Sequence, residues 1–240
     1  MFLRSLNPLI SRISLFGESL VRLAFPAVCP LCSKSLPLSE KYVCSPCLTE
    51  LNRLTLNPAH RRWKKHSGLI AEHCSLYEYR GLCREFIAYF KFSHQPWLIQ
   101  ALRQPLSKFL LALSLETRYD ALTPIPVTLS RFMERHYNPA EVLAQEISQI
   151  CGIPVLPLLK KTRSTPAQHD LSGDERKMNL RGCFAVRSKN QIKGLRVLLI
   201  DDILTTGSTA LEAARVLKQA GTLDSGILTL AKTLEKKSNG

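Results

Sequence analysis

Arg196-Val197-Leu198-Leu199-Ile200-Asp201-Asp202-Ile203-Leu204-Thr205-Thr206-Gly207-Ser208-Thr209-Ala210 is the stretch on which the reading of this 240-residue chain turns. Val197 to Ile200 is a short, unbroken apolar run, apolar on both faces. It predicts a buried parallel strand. Two carboxylates stand where that strand should end. Small hydroxyl residues and one glycine follow. Leu211 to Leu217 then repeats apolar residues at helical spacing, and Gly221 is placed to end the helix. The order is therefore strand, acidic turn, small polar loop, helix. In open α/β sheets ligands bind at the carboxyl ends of the strands.

The loop suits a phosphate. Gly207 lets backbone approach a ligand closely, and the amides from Thr206 to Thr209 can form an anion nest. Thr205, Thr206, Ser208 and Thr209 add hydroxyl donors, and the following helix turns its positive end to the same point. Asp201 and Asp202 cannot bind that phosphate directly. They suit neighbouring sugar hydroxyls, or a magnesium ion shared with the substrate. A ribose 5-phosphate carries both parts. An ordinary strand–turn–helix would explain the paired acids alone, but not the whole spaced string. A Walker-type loop is excluded, because no Gly-Lys-Ser/Thr follows a glycine-rich turn.

The stretch closely resembles the phosphoribosyl-pyrophosphate signature of type I phosphoribosyltransferases. The resemblance implies that Asp201 and Asp202 hold the ribose hydroxyls. It implies that Thr205, Thr206, Gly207, Ser208 and Thr209 wrap the 5-phosphate.

The net charge of +14 implies attraction to polyanions, nucleic acid first and an anionic membrane surface second. Half of it lies in residues 1–66, where ten Lys/Arg face three acids. No uninterrupted apolar run is long enough to cross a bilayer. The 45% hydrophobic fraction is ordinary for a soluble globular chain.

Eight cysteines divide into a tight group and a scatter. Cys29-Pro-Leu-Cys32 and Cys44-Ser-Pro-Cys47 give C-x2-C-x11-C-x2-C, two pairs able to complete one tetrahedral sulfur shell. Structural zinc is the preferred reading, ahead of an iron–sulfur cluster, a redox pair or chance. Cys74, Cys83, Cys151 and Cys183 read as thiols, which fits a reducing compartment and a cytoplasmic location.

Taken in order, residues 1–25 carry apolar residues at helical spacing among arginines and predict an amphipathic helix. Arg61-Arg62-Trp63-Lys64-Lys65 sets four cations around an indole. It fits a contact with single-stranded nucleic acid, or equally a basic solvated linker. Residues 77–115 read as mostly helical. Tyr119 to Val127 reads as a strand entering a rigid loop, with Pro124 and Pro126 at its carboxyl end. Asn138 and Pro139 predict the cap and first residue of a helix over 138–151, ended by Gly152. Ile153 to Leu159 reads as another strand, Cys183 to Val186 as a further one, and Leu223 to Leu230 as the last. Lys160 to Arg181 is long, polar and basic, a composition suited to a lid over a diphosphate.

As a whole the chain resembles the ComF (competence protein F) family. The pieces are Phe25-Pro26-x-x-Cys29-x-x-Cys32 with Cys44 and Cys47, Phe90-Lys91-Phe92 and Pro124-Ile125-Pro126. They continue with Arg131, Arg135-His136-Tyr137-Asn138, Thr165-x-x-Gln168, Arg176-x-x-Asn179, Phe184 and the Asp201–Thr209 signature. The resemblance implies a type I phosphoribosyltransferase-like, mainly parallel α/β sheet flanked by helices, with a small N-terminal four-cysteine zinc module. The expected division is a helix at 1–25, the zinc module at 26–58, a basic linker at 59–74 and the phosphoribosyltransferase-like domain at 75–240. Implied ligands are phosphoribosyl pyrophosphate with Mg²⁺. Pro124, Ile125 and Pro126 would lie beside the diphosphate, and Lys161, Arg163 and Arg176 would close over it. The implied role is the handling of single-stranded DNA during uptake in natural transformation, with competence-machinery proteins as partners. A transferase of nucleotide or base salvage and a non-catalytic phosphoribosyl-pyrophosphate sensor are the alternatives. Where the family usually reads Arg-Gly-Phe-Asn-Gln, this chain has Arg135-His136-Tyr137-Asn138-Pro139. That replaces a glycine with a residue that tolerates positive φ poorly.

Overall fold

The computed structural model describes residues 27–57, 68–162 and 181–234. The helix expected at 1–25, the Arg61–Lys65 run and two of the expected lid residues, Arg163 and Arg176, lie outside them. The elements before the sheet's centre are α1 (Ser45–Asn52), β1 (His73–Glu78), α2 (Gly81–Phe92), α3 (Arg103–Leu111), β2 (Ala121–Pro124), α4 (Leu129–Arg135) and α5 (Pro139–Cys151). After them come β3 (Leu159–Lys161), β4 (Phe184–Val186), β5 (Arg196–Leu204), α6 (Ser208–Gln219) and β6 (Asp224–Lys232).

Four strands form a wholly parallel sheet in the order β1-β6-β5-β2. The quoted apolar run lies at its centre, with Val197 to Ile200 at 1% exposure or less. Alternation assigns its residues to two faces. Leu198 and Ile200 share one core with α2, α3 and α5, while Val197 and Leu199 share a second with α6. Burying each of these side chains contributes about 1.5–3 kcal/mol. Both faces are covered, which is why the strand reads as a continuous apolar run.

Asn138 works in two directions. Its side-chain oxygen accepts from the Ala140 amide at 3.1 Å, capping α5 behind Pro139. Its side-chain NH₂ donates to the Ile125 carbonyl at 3.0 Å and holds the loop that leaves β2.

The cysteine-bearing segment is fastened to the sheet's outer edge. Thr55 bridges Tyr77 of β1 in antiparallel fashion. The Leu56 and Glu78 amides donate to the Leu76 and Leu54 carbonyls at 2.8 and 2.9 Å. Leu51 and Leu54 enter the same core as Leu76, Phe86 and Phe90.

Three expectations need correction. Ile153 to Leu159 is not one strand. Val155 makes a single parallel bridge to Leu122, and Leu159–Lys161 pairs antiparallel with Phe184–Val186 in a separate two-stranded sheet. Pro154 and Pro157 lack amide donors, so the chain cannot continue along the edge of β2. The stretch read as helical from residue 77 contains the end of β1, a strand that begins at His73 within the expected linker. Its six residues carry polar Ser75 among apolar ones, too short a run to identify its type. Finally, His136 does adopt the left-handed conformation that glycine would take, with φ 63° at the end of α4. Histidine is among the side chains that visit this region most readily.

Candidate functional site

β2 ends beside the middle of β5, which runs on to Leu204. Pro124 aligns with Ile200, and the Ile125 amide donates to the Ile200 carbonyl at 2.9 Å. This register puts Pro124-Ile125-Pro126 next to Asp201 and Asp202. Pro124 and Pro126 cannot extend the ladder, so the chain turns away there and runs through Thr128, the cap of α4, whose hydroxyl accepts from the Arg131 amide at 3.3 Å.

The acids are half-buried, and Lys91 of α2 meets them. Its Nζ lies 2.9 Å from Asp202 Oδ2, with both side chains 16% exposed. The Asp202 amide donates to Asp201 Oδ1 at 2.9 Å. Burial, then the negative charge of Asp202, push the Asp201 carboxyl up to about 7; the amide, Lys91 and Lys161 pull against that rise. Lys161 stands on β3, with Nζ 5.5 Å from the centre of the Phe184 ring. Burial lowers its pKa, Cys183 opposes this, Arg131 adds to it and Asp201 opposes it.

The loop that follows begins only after Leu204, so Asp201 and Asp202 lie within β5 and not in a turn at its end, as the sequence reading expected. Gly207 is left-handed, φ 77°, and caps α6. The Thr206 and Ser208 hydroxyls lie 3.0 Å apart. Thr205 and Thr206 are exposed, Thr209 is half-buried and Ser208 is buried. Amides, hydroxyls and a twelve-residue helix's N-terminus thus converge beside the carboxylates.

The two-stranded β3–β4 sheet stands over this end. The Thr162 amide donates to the Cys183 carbonyl at 3.0 Å, and the Thr162 hydroxyl to the Gly182 carbonyl at 2.8 Å. The Gly182 amide in turn donates to Glu212 of α6 at 2.7 Å. Both ends of segment 163–180 are therefore tied to the helix that begins at the hydroxyl loop. Between this sheet and the loop after β2 lies a cavity of about 510 Å³. Lys160, Lys161, Arg187 and Glu141 are among its lining residues, together with Thr128, Ser130 and Phe132.

Lys91 was not singled out as a site residue from the sequence, although a lysine between Phe90 and Phe92 on an otherwise apolar helix face was a usable signal. Lys160, Arg187 and Ser130 were also missed. They come from separate segments, and only the tertiary arrangement brings them together around the cavity.

The four N-terminal cysteines converge. The Sγ atoms of Cys29, Cys32, Cys44 and Cys47 all lie within 4.8 Å of one another, and those of Cys32 and Cys44 are 3.6 Å apart. A tetrahedral site with metal–sulfur bonds of about 2.3 Å has sulfur–sulfur edges of about 3.8 Å. Cys29 and Cys32 flank a tight turn with Ser33 left-handed, and Cys44 caps α1. Burial raises the Cys29 thiol, but backbone amides outweigh it and bring it down to about 7. Burial, and then the neighbouring thiols, drive Cys47 strongly up. Four such thiols cannot ionise together without a cation, so the cluster can hold a metal ion.

A parallel α/β sheet with paired acids in its central strand, a hydroxyl loop after it and an overlying small sheet defines a protein with a type I phosphoribosyltransferase-like fold. Residues 138–239 match the phosphoribosyl transferase domain. The chain is 33% identical to competence protein F of Haemophilus influenzae over 150 residues, 60% of this chain and 65% of that protein's length. It is 27% identical to the DNA utilization protein YhgH of Salmonella typhimurium, over 88% of this chain and 100% of that one. It is 27% identical to competence protein ComFC of Bacillus subtilis, over 81% of this chain and 72% of that one. The chain thus resembles the ComF family over most of its length and carries that family's phosphoribosyltransferase-like domain. Among the described residues no helix is long and apolar enough to cross a membrane.

Proposed function

We propose that the chain binds phosphoribosyl pyrophosphate with Mg²⁺ at Asp201–Thr209, and serves DNA uptake by handling single-stranded DNA in the cytoplasm. What supports the first half is the Pro124–Ile200 register, which brings the prolyl loop next to the strand residues that precede the acids. On this reading Asp201 and Asp202 hold the ribose hydroxyls. Thr205, Thr206, Gly207, Ser208 and Thr209 receive the 5-phosphate. Pro124, Ile125 and Pro126 lie along the diphosphate, and Lys161, with Arg163 and Arg176, closes over it. Asp201 and Asp202 are the carboxylates that could hold a Mg²⁺ bound with the substrate, which would supply charge neutralisation. The cysteines would hold zinc with no position open, so its role is folding.

The DNA half rests on the net charge of +14, the Arg61-Arg62-Trp63-Lys64-Lys65 run and the relatives' names. A second reading, a phosphoribosyltransferase of nucleotide or base salvage, is supported by the 510 Å³ cavity lined by Lys160, Lys161 and Arg187, which has room for an acceptor.

Calorimetric titration with phosphoribosyl pyrophosphate and Mg²⁺ tests the first half. The D201N/D202N double variant should lose binding, and equal affinity would refute the assignment. Filter binding with Arg61, Arg62, Lys64 and Lys65 all changed to Gln tests the second. The salt slope should flatten by about three units, at ~0.7 per contact on a single strand. Diphosphate release assayed with candidate bases, with and without single-stranded DNA, separates turnover from binding alone.

A further inference from the structure

We propose that the surface where the end of α2 meets the turn at 135–138 is a stacking site for the bases of single-stranded nucleic acid; this rests on the DNA-handling reading and gives it a place on the transferase-like domain.

Four side chains build the surface. Phe92 is 54% exposed although it ends an otherwise core-facing helix. The Arg135 guanidinium lies 4.7 Å from the centre of its ring. His94 and His136 stand beside them with ring centres 5.1 Å apart, and both imidazoles are exposed. Both histidines are left-handed, at φ 56° and 63°. His94 Nδ1 lies 3.3 Å from the Arg135 carbonyl, which fixes its ring over the turn.

The independent observation is polar. Arg135 is buried, at 8% exposure, against the exposed Phe92 ring, and among the described residues its Nε has no hydrogen-bond partner. Unpartnered buried donors are costly in a finished structure and point to a ligand that supplies acceptors. A nucleic-acid strand supplies them from its phosphates and base edges, and its bases stack on Phe92 and the imidazoles. Such stacking tolerates any sequence, because every base has a π-face. Lys91, the residue before Phe92, is the one that pairs with Asp202.

The test uses the full chain and a fluorescent oligo-dT of about twenty nucleotides, long enough to span a single-strand site, titrated at several salt concentrations. Two variants remove rings without harming backbone: the double variant H94G/H136G, where glycine fits both left-handed positions, and F92A. F92W is the rescue. We expect each loss to weaken binding about 5- to 150-fold, with the slope of log affinity against log salt unchanged, since no phosphate-neutralising cation is lost. Thermal stability and phosphoribosyl-pyrophosphate affinity should hold, and F92W should restore binding. Wild-type binding with both variants binding equally well would overturn the stacking site and leave the DNA-handling reading standing. A flattened slope would overturn it too, because the patch would then act by charge. No wild-type binding at any salt would bring down the DNA-handling reading, and this inference with it.

Discussion

Replacing Lys91 with methionine probes the carboxylate pair most directly. Methionine keeps the stem's bulk and removes the charge that stands 2.9 Å from Asp202. At that distance two unit charges interact with ~6 kcal/mol at an effective dielectric constant of about 20, before desolvation is subtracted. Both side chains retain 16% exposure, so water recovers part of this. The net loss should be ~2 kcal/mol, the low end for truncating one member of a buried pair. In affinity for phosphoribosyl pyrophosphate that is about 30-fold. The pH dependence identifies the cause. The Asp201 carboxyl is already up at about 7 through burial and the Asp202 charge, and Lys91 is one of two cations holding it down. Without Lys91 the carboxyl rises further, so more of it is protonated at neutral pH. The deficit of K91M should therefore be largest at about pH 7 and shrink toward about pH 9, as the acid ionises. Calorimetry of both proteins across that range reads this. Equal affinity at neutral pH would refute the coupling of Lys91 to the acids. A deficit that is constant across the range would show that Lys91 acts on the ligand alone and not through Asp201.

Three further outcomes are expected. An acid whose folded pKa is raised binds protons more tightly when folded, so its contribution to stability falls as pH rises from about 4 to about 7. D201N should accordingly gain stability over wild type across that window in urea titrations at stepped pH, and a constant difference would contradict the raised value. Chelation, or Cys44→Ser, should lower the melting temperature of the whole described body and not of residues 27–57 alone, because Leu51 and Leu54 share the core of Leu76 and Phe86; metal analysis should give one ion per chain, and a stability that ignores chelation would remove the metal from the argument. Gly226→Ala should cost ~2–4 kcal/mol by urea midpoint. Its new methyl would lie 2.1 Å from the Tyr119 hydroxyl, which is bound at 2.7 Å to buried Glu72; a cost under ~1 kcal/mol would mean that Tyr119 moves freely.

The amino-acid sequence by itself determined the centre of the sheet, the helix ends and the cysteine grouping. Val197 to Ile200 could only be a strand buried on both faces, because nothing polar interrupts it. Asn138, Pro139 and Gly152 bound α5 as they read, because caps and left-handed stops are local chemistry. The spacing of Cys29, Cys32, Cys44 and Cys47 foretold a single cluster, because a closely spaced pair can grip only from one tight turn. What lay beyond the sequence were relations between distant segments. Nothing local in His73–Glu78 says strand, since its pairing with β6 is what satisfies its backbone. Nothing near Pro154 and Pro157 says that the chain leaves one sheet for another. Lys91 reaches Asp202 from the far half of the chain, and Phe92, His94, Arg135 and His136 meet only because α2 ends against the turn after α4. Propensity and capping act within a few residues, whereas ion pairs and ring contacts depend on where whole elements pack, and packing is decided by the core as a unit.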